Sequence, residues 1–525
     1  MNDRHETSGA SVSPGAPVAD RYRIVGLIGR GGVGEVRTAS GFALRRFLRI
    51  AARCAVALAS FGCPLAAGPA GGRPNVILIY IDDLGWKDAG FQGSTYYETP
   101  SLDRLAGQGM VFTNAYANAP NCAPSRACLL SGQYPPRHGI YTVGSSERGP
   151  AQLRKLIPVA NQTVLKPQAV TIAEALKPAG YTSACIGKWH LGNYPRFGPS
   201  AQGFDVSVGG GAEGHAKSHF SPYGIVELQD GPQGEYLTDR LTSEAIRFIS
   251  GAKNRPFFLY LPHYALHTPI EAKKELIEKY RKKKGSQGQE TPEYAAMIES
   301  TDQGVGRILE TLGKLGLAST TVVFFLSDNG GFAQVTSMGP LRGSKGMIYE
   351  GGIRVPMLVS WPGQVSAGSV ADIPVIGVDL YPTILEIAGV RKPQGYVLDG
   401  ESLAPVLKGS GLLPPRALFW HFPAYLEPDS GRRGPWKTTP CSVVRQGDWK
   451  LIEFFEDGHL ELYNLKNDIG EKMNLAPTNP GKAEELHRVL LDWRASIRAP
   501  VPTVRNPKYD PNAPVVMNGE GQPVD

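Results

Sequence analysis

The sequence predicts an α/β fold: a mostly parallel sheet flanked by helices, followed by a smaller C-terminal subdomain built on an antiparallel sheet. Three observations carry this. Asn75–Ile81, Phe257–Leu261 and Thr321–Leu326 are nearly continuous apolar runs, as strands buried on both faces require. Helical patterns stand among them, at Thr171–Leu176 and at Asp239–Ile249 with Thr238 placed to cap it, and that alternation marks parallel strands joined by helical crossovers. Beyond Pro415 the pattern changes to short alternating runs at Ser442–Arg445, Trp449–Phe454 and Leu460–Tyr463, broken by Gly447-Asp448 and Asp457-Gly458. These read as an antiparallel meander, closed by a helix around Ala483–Ile497.

Composition agrees with a folded chain rich in shaped loops. Of 525 residues, 42% are hydrophobic, which is enough for a sizeable core. With 63 Gly and 43 Pro the chain exceeds the usual share of turn formers but falls short of low complexity. The formal charge is +7, and its location decides its meaning. Residues 1–70 hold nine arginines against four carboxylates, five of the seven net charges. The rest is nearly neutral, which argues against nucleic acid as a partner.

The charged front end reads as a leader. Arg45, Arg46, Arg49 and Arg53 precede the apolar run Cys54–Gly62, then Pro64 and small residues. A basic stretch, a short apolar core and a small-residue exit make a secretory signal, implying a periplasmic or secreted protein. The run is too short for a stable membrane span. Upstream, Gly29-x-Gly31-x-x-Gly34-x-Val36 resembles the glycine-rich loop of protein kinases. No lysine motif or catalytic loop of that family follows it, so residues 1–40 are read as a remnant, or as a segment ahead of the true start.

Two strand ends carry chemistry. Asp82-Asp83 follows the first apolar run and Asp328-Asn329-Gly330 follows the run ending at Leu326. Ligand sites of open α/β sheets lie beyond the carboxyl ends of the strands. Three carboxylates and an amide suit Ca²⁺ or Mg²⁺ better than Zn²⁺, although either pair alone also reads as a cap or turn. Between them lies Cys122-Ala-Pro124-Ser125-Arg126. Pro124 suits the first turn of a helix. That puts Cys122 at the helix N-terminus, with Arg126 one turn further on; the plain alternative is a buried structural cysteine.

The segment resembles the signature Cys-x-Pro-Ser-Arg of the formylglycine-dependent (type I) sulfatase family, arylsulfatase-A-like, and the order of motifs from Asn75 to about Asn474 is similar to that family's. The resemblance implies an alkaline-phosphatase-like fold. It also implies hydrolysis of a sulfate ester, with Cys122 oxidised by a formylglycine-generating maturation enzyme to Cα-formylglycine, whose hydrate is the nucleophile. It assigns Asp82, Asp83, Asp328, Asn329 and the modified Cys122 to a divalent metal, Ca²⁺ with Mg²⁺ as the alternative. Arg126 is then the residue that orients the formylglycine hydrate. Gly187-Lys188-Trp189-His190-Leu191-Gly192 resembles the second signature; if extended, it turns Lys188 and His190 to one face and Trp189 away. In the implied mechanism His190 removes a proton from the second hydroxyl. Leu259–Pro269 ends in a His-Thr-Pro similar to the family's, making His267 the leaving-group histidine and His263 a structural or rim residue. Leu341–Gly346 resembles the segment carrying the second sulfate-binding lysine, here Lys345.

On this reading residues 71–414 are the catalytic domain, 415–499 the C-terminal α/β subdomain and 500–525 a loosely packed tail. The implied substrate is a sulfated small molecule or glycan, with a carbohydrate favoured. A phosphonate or phosphodiester hydrolase on the same scaffold is the enzymatic alternative. A binding protein for sulfated glycans is the other, if Cys122 stays a thiol. Specificity is expected from the loops Tyr141–Leu165, Gly209–Ser221 and Trp420–Pro440. Lys273–Lys284 reads as a solvated basic face or an outer patch for a sulfated glycan. His215 and His219 have helical metal-ligand spacing, but the glycines at 209–211 make the stretch a loop. Cys128, Cys185 and Cys441 allow one disulfide in an exported protein.

Overall fold

The structure, a computed structural model, describes residues 72–428 and 435–514, and the backbone of 23–31 and 34–40. Arg23–Gly31 pairs antiparallel with Gly34–Ser40, so the glycine-rich motif lies in a hairpin. The leader expected at 41–70 lies outside the described residues.

Eight strands form the main sheet: β1 (Asn75–Ile81), β2 (Met110–Phe112), β3 (Thr182–Ile186), β4 (Val206–Val208), β5 (Phe257–Pro262), β6 (Thr321–Ser327), β7 (Met357–Ser360) and β8 (Ser369–Ala371). Their order is β8-β2-β7-β6-β1-β5-β3-β4. Only β7 runs against the rest, antiparallel to both β6 and β2. Alternate side chains of β1 enter opposite cores. Val76, Leu78 and Tyr80 pack with Leu129 and Leu130 of helix α1 (Cys122–Ser131). Ile77, Ile79 and Ile81 pack with Leu241 of α2 (Leu237–Ala252) and Val305 of α3 (Pro292–Lys314). Burial on both faces is why the run is apolar throughout, each side chain contributing roughly 1.5–3 kcal/mol. Among the described residues no helix is long and apolar enough to cross a membrane.

The second sheet, β9 (Ala417–Phe422), β10 (Cys441–Gln446), β11 (Trp449–Phe454) and β12 (Leu460–Asn464), is an antiparallel meander in sequence order. Helix α4 (Pro480–Ile497) covers one face through Leu486, Leu490 and Trp493, whose ring stacks on Phe419 with centroids 4.5 Å apart. Strand β9 carries no alternation that the sequence shows: Leu418, Trp420, His421 and Phe422 are all buried.

Three expectations are corrected. Helix α2 starts at Leu237 and Thr238 is inside it, because the Leu237 N–H donates to the His219 carbonyl at 2.8 Å and no side-chain cap is present. Cys128, Cys185 and Cys441 are buried free thiols on separate elements, with Cys128 Sγ 3.4 Å from His138 Nε2, so no pair is bridged. The tail does not hang loose between residues 500 and 514: His421 Nε2 donates to the Pro500 carbonyl at 2.8 Å, and Asn506 Nδ2 donates to the carbonyls of Ala151 and Arg154.

A buried charge network joins the second sheet to residues 348–354. Lys450 of β11 lies between Glu350 and Glu471, 3.0 and 2.8 Å away, and also donates to the Ile348 carbonyl. Tyr116 and Arg354 donate to the other Glu350 oxygen at 2.6 and 3.2 Å. Burial raises the Glu350 carboxyl, but Lys450, then Arg354 and Arg445, outweigh it and hold it down at about 2. Glu471 shares Lys450 and goes the other way, pushed up to about 7 by burial and later by the neighbouring Glu350 charge. A depressed carboxyl stabilises the fold above its unfolded pKa and loses that contribution as pH falls through the folded value. Unfolding free energy should therefore drop as pH falls from 4.5 toward about 2, where this carboxyl takes up its proton. In denaturant titrations across that window, Glu350→Gln should show a shallower slope than the parent; equal slopes would refute the assignment.

Candidate active site

Parallel pairing of β1 with β6 puts Ile81 opposite Ser327, so Asp82-Asp83 and Asp328-Asn329 leave the sheet side by side. All four are buried. Asp83 takes a left-handed conformation, φ 60°, and its N–H donates to Asp328 Oδ1 at 3.2 Å. Carboxylates this close repel unless cations separate them.

Arg126 supplies one cation. It is fully buried, and its Nε and Nη2 donate to Asp328 Oδ2 at 3.0 and 2.7 Å while Nη1 holds the Lys188 carbonyl at 3.0 Å. Lys188, also fully buried, donates through Nζ to Asp82 Oδ2. Lys345 Nζ donates to Asp83 Oδ2 at 2.6 Å, and Asn329 Nδ2 to Asp83 Oδ1 at 2.8 Å. His267 Nε2 stands 4.0 Å from Asp83 Oδ2. Cys122 opens helix α1 beneath a cavity of about 600 Å³ that Asp83, His190, His267 and Lys345 also line. Burial pushes its thiol pKa up, against the pull of Lys188 and Lys345. The structure therefore brings together Asp82, Asp83, Cys122, Arg126, Lys188, His190, His267, Asp328, Asn329 and Lys345.

The second signature arrives by a different backbone from the extended one expected. Strand β3 ends at Ile186; Gly187 has φ 123° and His190 φ 60°. A Cβ on Gly187 would stand 1.9 Å from the Pro262 carbonyl oxygen, so only glycine fits. Trp189 still points away, buried with Nε1 on the Phe197 carbonyl at 2.7 Å. His263 is buried and does not line the cavity, which makes it a core residue and not a rim one.

Oxygen atoms are left over where a cation would fit. Asp82 Oδ1 and Asn329 Oδ1 are buried without a hydrogen-bond partner. Ligand atoms of Asp82, Cys122 and Asp328 lie within 4.8 Å of one another. A buried polar atom left unpaired is costly, and this oxygen-rich set suits a hard divalent cation.

The cavity walls come from the three loops expected to set specificity. Val143 and Arg148 stand on the first, Gly214 and His215 on the second, and Leu426, Glu427 and Lys437 on the third. Asn121 and Phe332 complete the lining beyond what the motifs indicate. His215 stacks on His267, centroids 5.8 Å apart and 13° from parallel. Its spacing from His219 was the only trace of this in the sequence, and it pointed to the wrong chemistry. Four of the seven basic side chains in the run Lys273–Lys284 are paired, Lys273 with Asp239, Lys279 with Glu98 and Glu299, Lys283 with Glu98, and Arg281 with Glu278 and Glu293, while Lys274, Lys282 and Lys284 stay exposed.

Residues 74–390 match the family described as Sulfatase. The chain belongs to the sulfatase family. Residues 344–495 match the C-terminal region of N-sulphoglucosamine sulphohydrolase. This sulfatase is 35% identical to a sulfatase of Formosa agariphila over 82% of the chain and 90% of the relative. It is 36% identical to N-acetylgalactosamine-6-sulfatase of Homo sapiens, over 66% and 68%. The solved structure of Ps i-CgsB in complex with k-i-k-neocarrahexaose superposes with a TM-score of 0.68 at 30% identity, covering 80% of this chain and 92% of that one. The protein is a sulfuric ester hydrolase with the alkaline-phosphatase-like sheet that the resemblance implied.

One glycine tests the packing of the site. A Cβ on Gly214 would stand 2.7 Å from His190 Cε1, while the Gly214 backbone is one any residue adopts. Gly214→Ala should shift His190 and lower kcat by about tenfold or more, with the melting temperature nearly unchanged. A variant with parental kcat would show that His190 tolerates the displacement.

Proposed function

We propose that this sulfatase cleaves a sulfate ester of a carbohydrate, using a formylglycine made from Cys122 by a maturation enzyme, together with Ca²⁺ or, as the alternative, Mg²⁺. The observation that carries the reading is Cys122 at a helix N-terminus under the cavity, among buried carboxylates and two lysines. The saccharide class rests on the names of the human relative and of the neocarrahexaose complex. Export to the periplasm or cell exterior rests on the leader pattern at 41–70 alone.

A hydrated aldehyde at position 122 supplies two hydroxyls, one to attack sulfur and one through which sulfate is expelled. A divalent cation held by Asp82, Asp83, Asp328, Asn329 and the side chain at 122 would supply Lewis acidity toward a sulfate oxygen. Lys188, on Asp82, and Lys345, on Asp83, bind the remaining sulfate charge. Arg126 orients the first turn of α1 by tying it to Asp328. His190 is held well below its usual pKa by burial, then by Lys188 and Arg126. It is therefore neutral, and its Nδ1 is buried without a partner, so it accepts the hydroxyl proton. His267 is pushed down to about 3 by burial and then by Lys345. An anionic sulfate on Lys345 and Lys188 offsets those charges and lets His267 Nε2 carry the proton to the departing oxygen.

The peptide containing Cys122 is expected to show sulfur replaced by oxygen with loss of two hydrogens. Cys122→Ser should be inactive or trap a sulfated enzyme, because serine has no second hydroxyl; steady turnover by that variant would sink the mechanism, and an intact thiol in the active parent would sink the modification. On matched aryl sulfate and phosphodiester substrates, kcat/KM should favour the sulfate by on the order of 100-fold or more, about 2.7 kcal/mol of transition-state discrimination. The reverse preference would make the protein a phosphodiester hydrolase on the same scaffold.

A further inference from the structure

We propose that His219, outside the cavity and absent from every sulfatase motif recognised above, is a positioning residue that holds the leaving-group acid His267 in its working orientation. This rests on the reading of His267 as that acid.

The geometry begins with the ring of His267. Its Nδ1 lies 3.0 Å from the Thr268 carbonyl. A carbonyl only accepts, so Nδ1 carries the hydrogen there and Nε2, facing Asp83, is left to exchange a proton with substrate. The orientation of Nε2 thus depends on how Thr268 is held relative to the His267 Cα, and the two are joined by the peptide plane between residues 267 and 268, which carries the His267 carbonyl. That plane is fixed from outside: His219 Nε2 stands 3.0 Å from the His267 carbonyl oxygen. Here too the acceptor is a carbonyl, so His219 donates through Nε2–H and its tautomer is set.

His219 is itself fixed on three sides. It is fully buried, its N–H donates to Glu271 Oε2 at 2.7 Å, and its carbonyl accepts the N–H of Leu237 at the start of α2 at 2.8 Å. Glu271 also accepts from Ser218 Oγ at 2.8 Å. The side chain is therefore a rigid strut from the start of α2 to the peptide that aims His267. Burial lowers its pKa, which keeps the ring a neutral single donor at this contact. The stacking of His215 on the His267 ring comes from the same loop.

A residue that acts only through His267 has a specific kinetic signature. Protonation of the departing oxygen matters for a poor leaving group and hardly at all for a good one. The test measures kcat/KM, normalised to formylglycine content, on a series of aryl sulfates from para-nitrophenyl to unsubstituted phenyl sulfate. It compares the parent, His267→Ala, His219→Phe and His219→Gln in the full-length protein. His219→Phe keeps a buried ring but removes the donor; it should lose about tenfold or more on phenyl sulfate, stay near parental on para-nitrophenyl sulfate, and so steepen the dependence on leaving group. His219→Gln, whose amide nitrogen reaches a position like that of Nε2, should restore the parental slope. His267→Ala is the control: a steepened slope there upholds the leaving-group reading, and a parental slope overturns that reading and this proposal with it. With a steep His267→Ala, an equal loss across the series in His219→Phe, or no loss, makes His219 a structural residue only. Should His219→Phe fail to fold, His219→Asn replaces it, since its amide mimics Nδ1 and cannot reach the carbonyl. A parental slope in that variant overturns the proposal in the same way.

Discussion

Three carboxylates buried side by side, at the ends of two neighbouring parallel strands, are the constraint from which the rest of the site follows. Two such charges about 4 Å apart repel by about 4 kcal/mol even at an effective dielectric constant near 20, and each has also lost its water. The fold answers with three cations from three other segments: Arg126 from α1, Lys188 from the turn after β3, and Lys345 from the segment after β6. Arg126 lies four residues from Cys122 on the same helix. Its two bonds to Asp328 therefore fix the rotation and depth of α1, and with them the position of Cys122. The charges of the cluster also bear on the proposed cation. Three carboxylates and three basic groups match in number, yet Asp328 is pushed up to about 6 by burial and then by Asp82. On the proposed function, a divalent ion at the two unpartnered oxygens would offset that repulsion and leave the site with an excess of positive charge, the sign a sulfate requires.

The same logic explains why a second sheet is needed. Lys345 lies on an irregular segment with no strand or helix of its own before Glu350. That segment is pinned from outside: the Gly346 N–H donates to the Pro120 carbonyl at 2.7 Å, Thr438 Oγ1 donates to the Gly346 carbonyl at 2.6 Å, and Gly352 lies so close to Met347 that a Cβ would be 1.9 Å from its carbonyl oxygen. Glu350 then ties the far end to Lys450 of β11. The meander is thus the wall against which Lys345 is held. A buried ion pair of this kind contributes more to specificity of placement than to net stability, since desolvation offsets much of its attraction.

The core was legible because burial on both faces leaves no choice of residue. Asn75–Ile81 and Thr321–Ser327 admit no polar side chain beyond the first and last positions, and their ends are marked by the first acidic residues. The short outer strands were not legible. Met110–Phe112 and Ser369–Ala371 are held by pairing with neighbours distant in sequence, and three residues are too few for a period to show. The first turn of α2 misled for a related reason: a tertiary bond to the His219 carbonyl replaced the side-chain cap that Thr238 seemed to offer. Within the site, the motifs named the residues at the cavity floor but not the backbone that delivers them. The positive φ of Gly187 goes with its close contact with Pro262, some seventy residues away, and His190 is held by its N–H bond to the Gly211 carbonyl, neither of which follows from alternation along the chain. The walls, Arg148, His215 and Glu427 among them, sit on loops without periodicity, so nothing local marked which side chains would face inward.

Charge shows the same division between what is summed and what is placed. Most of the +7 lies in residues 1–70, and the basic run near residue 280 is tied to Glu98, Glu278, Glu293 and Glu299. At the cavity mouth Arg148 is likewise held by Glu427 at 2.5 Å. A polyanion approaching from solvent therefore meets several cations already in partnership, with Lys274, Lys282 and Lys284 left exposed, and screening shortens their reach. The floor is different. Lys188 and Lys345 are bound to Asp82 and Asp83, and Asp82 keeps a second oxygen, Oδ1, without a partner. On the proposed reading, a cation drawn to that oxygen would weaken the hold of Asp82 on Lys188 and free its ammonium group for a sulfate above Cys122. Selectivity for one sulfate group then arises from an exchange of partners within a few ångströms, which no total of charges along the sequence would reveal.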